Sequence, residues 1–128
     1  MYAKSAMRQY QQVDTHAQVL EASPHRLIQM LMEGGLSRLA QAKGAMSRGQ
    51  IAEKGVLVGK AIDIIGGLRE GLDMEKGGEI AANLNNLYLY MTRCLIEANK
   101  TNDESKLDEV AKLLRTIKEG WDGIAPAA

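Results

Sequence analysis

The 128 residues include no Phe, one Trp, one Cys and two Pro, and each scarcity closes off a class of protein. A single cysteine, Cys94, cannot form an internal disulfide, so a disulfide-stapled secreted scaffold is excluded. With almost no proline and few β-branched runs, the chain favours helices over sheet. Charge of one sign is also missing: sixteen Lys and Arg balance sixteen Asp and Glu. No positive field is left over to hold a nucleic-acid backbone or an anionic membrane. The longest apolar runs fall far short of the ~20 residues that cross a bilayer, and the opening MYAKSAMRQYQQ lacks the apolar stretch of a secretory signal. The expectation is a protein of the reducing cytoplasm, with no membrane insertion and no nucleic acid.

What is present is helical periodicity. Ser23 can cap a helix that Pro24 opens, and Ile28, Leu31, Met32, Leu36, Leu39, Ala42 and Met46 then share one arc, predicting a helix over 24–46. After the Ser47-Arg48-Gly49 break, Ile51, Leu57, Val58, Ala61, Ile62, Ile64, Ile65, Leu68 and Leu72 fill an arc of roughly 160°, so a helix over 50–72 should touch two neighbours. The stretch from Asp73 to Gly78 reads as a connector. A third helix over 78–99 should bury Ile80, Leu84, Leu87, Tyr88, Met91, Cys94, Leu95 and Ala98, and a fourth over 105–121 should bury Leu107, Val110, Ala111, Leu114, Ile117 and Trp121. Short connectors force neighbouring helices antiparallel, which predicts an all-α, up-down-up-down four-helix bundle in a single domain. Residues 1–22, with Met7, Tyr10 and Val13 three apart, are expected to form a short helix or flap without a core of its own, and 122–128 a flexible tail.

The sequence offers catalysis and cofactors little. A di-iron bundle needs Glu three residues before His, but Val13 precedes His16 and Ala22 precedes His25. Two His and one Cys without close spacing do not make a structural zinc site. His25 reads as solvent-facing and Cys94 as a small core residue. No phosphate loop occurs, since Lys54 and Ala61 stand where its first Gly and its hydroxyl belong, and Asp73 with Glu75 beside Lys76 reads as a solvated turn. The expectation is a protein that is not an enzyme and takes no metal or cofactor.

Apolar and small residues on the wrong face are more informative. Ala82, Leu89 and Ile96 recur every seven residues on the side of the third helix away from its core arc. On the second helix Gly55, Gly59 and Gly66, with Val56 beside them, form a second stripe. Each Gly costs about 1 kcal/mol of helix propensity relative to Ala, so some gain should offset it. A bare backbone ridge beside Leu and Ile suits one wall each of a groove for an amphipathic partner segment. The competing readings are a third helix buried on several sides, a contact between two copies of the chain, or a small regulatory binder on the same scaffold.

The blocks ASPHRLIQMLMEGGL (22–36), GLDMEKGGEIAANLNNLYLYM (71–91) and ANKTNDESKLDEVAKLL (98–114) resemble, in order and over nearly the whole chain, the flagellar secretion chaperone family FliS. Met7 and Tyr10 also fit the N-terminal pattern of enterobacterial members. The chain departs at Leu31-Met32-Glu33-Gly34, where many members carry an aromatic and an Asp. The resemblance implies an antiparallel bundle that holds the disordered C-terminal segment of flagellin, keeps it from polymerising in the cytoplasm and helps deliver it to a component of the export gate. It implies no reaction and no cofactor. The residues expected to meet partners are Met7, Tyr10, Val56, Gly59, Gly66, Ala82, Leu89 and Ile96.

Overall fold

The computed structural model of the chain describes residue 19 and residues 21–124. Met7 and Tyr10, and most of the expected flap and of the expected tail, lie outside them. Among the described residues four long helices follow one another: α1 (Pro24–Ser47), α2 (Ile51–Glu70), α3 (Met74–Thr101) and α4 (Glu104–Asp122). Among the described residues the fold is all-α, as the periodicity predicts.

Each boundary has a local cause. At the start of α1 the Arg26 N–H donates to the Ser23 hydroxyl at 3.1 Å, and Pro24 occupies a position where its missing N–H costs nothing. The α1–α2 turn is made at Gly49, with φ +71°, a conformation in which a Cβ would be strained. Asp73 caps α3 by accepting from the N–H groups of Glu75 (3.1 Å) and Lys76 (2.9 Å). That cap corrects the expected 73–78 connector, because the segment after Asp73 is already helical. The connector reading survives in one residue: Gly78, at φ +52° and ψ −128°, interrupts the helix near the expected start. Asn102, at φ +54°, ends α3, and Asp103 caps α4 through the Ser105 N–H at 3.0 Å.

Connectors of two or three residues turn each helix back along its predecessor. α1 packs on α2 and α4, and α3 packs on the same two from the other side. The ends agree: Ser47 donates to Glu104 and Gln29 to Asp122, so α1 and α4 run antiparallel. Met32 and Leu39 of α1, Val58 and Ile65 of α2, Met91 and Leu95 of α3, and Leu107 and Leu114 of α4 are almost wholly buried. Burying such a side chain is worth about 1.5–3 kcal/mol relative to leaving it in water, and with no Phe these aliphatic and thioether groups carry the core. Met32, at the position of the family departure, is 2% exposed.

Some inner-face expectations need correction. Ile80 is 73% exposed, and Leu87 is half-buried and absent from the core cluster. The core of α3 follows Ala81, Leu84, Tyr88, Met91, Leu95 and Ala98, alternate steps of three and four, which leaves Ile80 and Leu87 on a flank. Ile51, at the first turn of α2, is 67% exposed. Leu113, off the expected α4 arc, packs against the core.

Candidate partner-binding groove

Two ties fix how α2 lies along α3. Near one end Lys54 Nζ donates to the Asn99 carbonyl at 2.9 Å and to the Asn102 side chain; near the other, Arg69 Nε donates to Asn85 Oδ1 at 2.7 Å. Each step forward along α2 is therefore a step back along α3. Val56 lies level with Ile96, and Gly66 with the turn from Leu87 to Leu89.

The same ties say which faces meet. At roughly 100° per residue, Gly55, Gly59, Ile62 and Gly66 lie within roughly 80° of Arg69 on α2, and Ala82, Leu89, Thr92 and Ile96 within roughly 60° of Asn85 on α3. Since Arg69 and Asn85 touch, the two wrong-face stripes flank one seam. The helical geometry thus sets Gly59, Gly66, Leu89 and Ile96 along one seam, with Ala82 beyond its end, past Glu70, and Val56 on the outer rim. Val56 is 59% and Ile96 55% exposed, while Ala82 and Leu89 are half-buried. A Cβ built on Gly55, Gly59 or Gly66 would meet nothing within 4 Å, so the bundle itself does not require these glycines. Gly35 is the contrast, because its Cβ would sit 3.0 Å from Leu114 Cδ2 where α1 meets α4.

A second apolar feature was not visible in the sequence. Where α1 begins and α4 ends, His25 and Trp121 stack with ring centroids 4.8 Å apart and planes 14° from parallel. His25 Nε2 donates to the Trp121 carbonyl at 2.9 Å, and Trp121 Nε1 donates to the His25 carbonyl at 3.0 Å. An acceptor carbonyl requires the proton on Nε2. His25 is therefore half-buried in a clasp, which corrects its expected place in solvent. Under the clasp lies an apolar cavity of about 310 Å³ lined by Ile28, Met32, Leu68, Leu84, Tyr88 and Ile117 among others. A shallower hollow of about 650 Å³, with Leu27 and Leu31 in its wall, adjoins it. The signal that could have exposed the clasp is absent locally, because its partners are 96 positions apart.

Polar chemistry is sparse. Cys94 is buried and its Sγ donates to Glu109 Oε2 at 3.7 Å, while Tyr90 Oη donates to Glu109 Oε1 at 2.6 Å. Bonding to Glu109 above all, and to Cys94, holds the Tyr90 phenol far above its ordinary pKa, so it stays a donor. Burial raises the Tyr88 phenol as well. Among the described residues no three His, Cys, Asp or Glu side chains gather to hold a metal ion, and no helix is long and apolar enough to cross a membrane.

Known proteins are similar to this sequence. The chain is 66% identical to flagellar secretion chaperone FliSB of Pseudomonas aeruginosa over 98% of its own length and 99% of that protein's. It is 47% identical to flagellar secretion chaperone FliS of Salmonella typhimurium over 100% and 96%, and 30% identical to the FliS of Bacillus subtilis over 78% and 74%. The family model described as flagellar protein FliS matches residues 6–128, and the chain, with its antiparallel bundle and its quoted sequence blocks, belongs to the FliS family of flagellar secretion chaperones.

Proposed function

We propose that this chain is a cytoplasmic, non-enzymatic chaperone of flagellar type III secretion that holds the disordered C-terminal segment of flagellin along the α2–α3 seam. The observation that carries the reading is the seam itself: an open ridge of Gly55, Gly59 and Gly66 facing Leu89 and Ile96, in a family whose members are named as flagellar secretion chaperones. From Gly55 to Arg69 the ridge runs about 21 Å, room for a partner helix of roughly four turns. A bare backbone lets that helix approach closely, and Leu89, Ile96 and Val56 cover its apolar face. An occupied face is unavailable for polymerisation. A segment that is disordered when free loses entropy on binding, which moderates affinity per unit of buried area and lets release proceed in steps. In this reading Met7 and Tyr10 serve docking to the export gate.

Size-exclusion chromatography and titration with a purified flagellin C-terminal segment test the proposal. A one-to-one complex is expected. Ile96→Asp puts a carboxylate into the interface without touching the core, so it should weaken the complex about tenfold or more while the melting temperature barely moves. Leu89→Asp should weaken it as well, with a modest loss of stability because Leu89 is half-buried. Ile96→Asp binding as tightly as the parent overturns the seam. A concentration-dependent dimer that excludes flagellin favours a contact between copies instead.

A further inference from the structure

The seam is not electrically uniform. At the end where α2 stops and α3 starts, Glu70 stands on the α2 rim and Glu79 on the α3 rim, both exposed. At the opposite end Arg93 and Lys100 stand exposed on the α3 rim beside Ile96, with Glu97 between them, while the facing α2 rim offers only Ala52 and Val56. Arg69, exposed and hydrogen-bonded to the neutral Asn85 amide, keeps one positive charge at the acidic end, where the Glu70 and Glu79 carboxylates outnumber it. The four ion pairs found among the described residues all lie on α1 and α4. The rim charges of the seam therefore have their fields directed outward, unneutralised by close partners of that kind. Because α2 and α3 run antiparallel, their own dipoles oppose one another at each end and leave this side-chain gradient in place.

We propose that the α2–α3 groove fixes the direction of the helix it holds: the partner lies parallel to α3, its N-terminus between Glu70 and Glu79 and its C-terminus beside Arg93 and Lys100. This rests on the reading of the seam as the binding groove and adds its polarity. A helix carries about half a positive charge at its N-terminus and half a negative charge at its C-terminus, so the acidic end attracts the first turn and the basic end the last. The partner chemistry that fits best is an amphipathic segment with Lys or Arg in its first turn and Asp or Glu in its last. Such a charge order opposes the segment's own dipole and disfavours a free helix. The partner therefore remains unstructured until the groove supplies the compensating charges.

Two end-blocked peptides of about four turns test this, sharing one Leu stripe and one composition. One places Lys first and Glu last, and the other the reverse. Each carries a benzophenone at its N-terminus. The preference for the Lys-first peptide over its reverse should be about tenfold larger on the parent than on a charge-reversed protein carrying Glu70→Lys, Glu79→Lys, Arg93→Glu and Lys100→Glu. Comparing the two proteins cancels the peptides' different intrinsic helicity. Cross-links should fall near Glu70 and Glu79 in the parent and near position 100 in the reversed protein. Equal ratios for the two proteins, or parent cross-links around Ile96 to Lys100, overturn the polarity. If Ile96→Asp still weakens peptide and flagellin binding in that case, the groove stands and only its direction is wrong. If neither peptide nor the flagellin segment binds in a manner sensitive to Ile96→Asp, both fail.

Discussion

Lys54 is the most informative residue to remove. It occupies a core position of α2, four residues before Val58, and is only 4% exposed. Its ammonium donates to the Asn99 carbonyl in the last turn of α3 and to the side chain of Asn102, the left-handed residue that ends that helix. A helix C-terminus leaves carbonyls without partners and carries partial negative charge, so a buried cation meets two needs there at once. Lys54→Ala removes two charge-assisted hydrogen bonds worth about 1.5–3 kcal/mol each, but also relieves the cost of burying an ammonium, which is of comparable size. The buried methylene stem adds about 0.8 kcal/mol per group lost. The expected net loss is about 3 kcal/mol, which at roughly 2.1 cal/mol/K per residue lowers the melting temperature by about 10 °C for a chain of this size. Lys54→Met keeps most of the stem and should recover about half of that loss. Thermal melts followed by circular dichroism read both values, and hydrogen exchange should quicken in the last turn of α3. A Lys54→Ala protein melting within about 2 °C of the parent refutes the reasoning.

Other outcomes follow from particular contacts. Leu95→Ala, at a fully buried site, should cost about 2–5 kcal/mol in a denaturant titration, whereas Leu87→Ala, on the flank, should cost well under half as much. Gly59→Ala and Gly66→Ala, with open space at the new Cβ, should each raise stability by about 0.5–1 kcal/mol and weaken flagellin binding, while Gly35→Ala should destabilise by crowding Leu114. The Ser105 hydroxyl holds the Asp103 carboxyl below its ordinary pKa, and Lys118 does the same for Asp122. Since both folded values are depressed, their stabilising contribution is present above the ordinary carboxylate pKa and is lost as pH falls through the lowered folded values. Melting temperatures should therefore drop below about pH 4, and Asp103→Asn should make that drop shallower.

How far the sequence could be read depended on the range of the interaction. Ser23-Pro24 is a local signal, and α1 begins there. The steps of three and four through Tyr88, Met91, Leu95 and Ala98 carried α3. A broad apolar arc misled at Ile80 and Leu87, because an arc does not say where the neighbouring helices end. Ile80 is level with residues past Glu70, where α2 has stopped. Lys54 fits the core spacing of Val58, Ala61, Ile65 and Leu68, so its burial was legible to spacing but hidden by its charge. His25 and Trp121 offered no local cue, since their clasp forms only in the folded bundle. The two stripes were readable one helix at a time. Their meeting along one seam needed the register set by Arg69 and Asn85.

The clasp has a topological consequence. Three connectors of two or three residues join the helices in order, and the contact of His25 with Trp121 supplies a noncovalent fourth between α4 and α1. The bundle is then a closed cycle, and its covalent opening at that seam is only one of four places where the chain could begin. A circular permutant that opens between Gly71 and Asp73 and links the old ends by a flexible tether would keep every interhelical contact described above. It would move the new termini to the acidic end of the seam, where the first turn of a fused partner segment is drawn in.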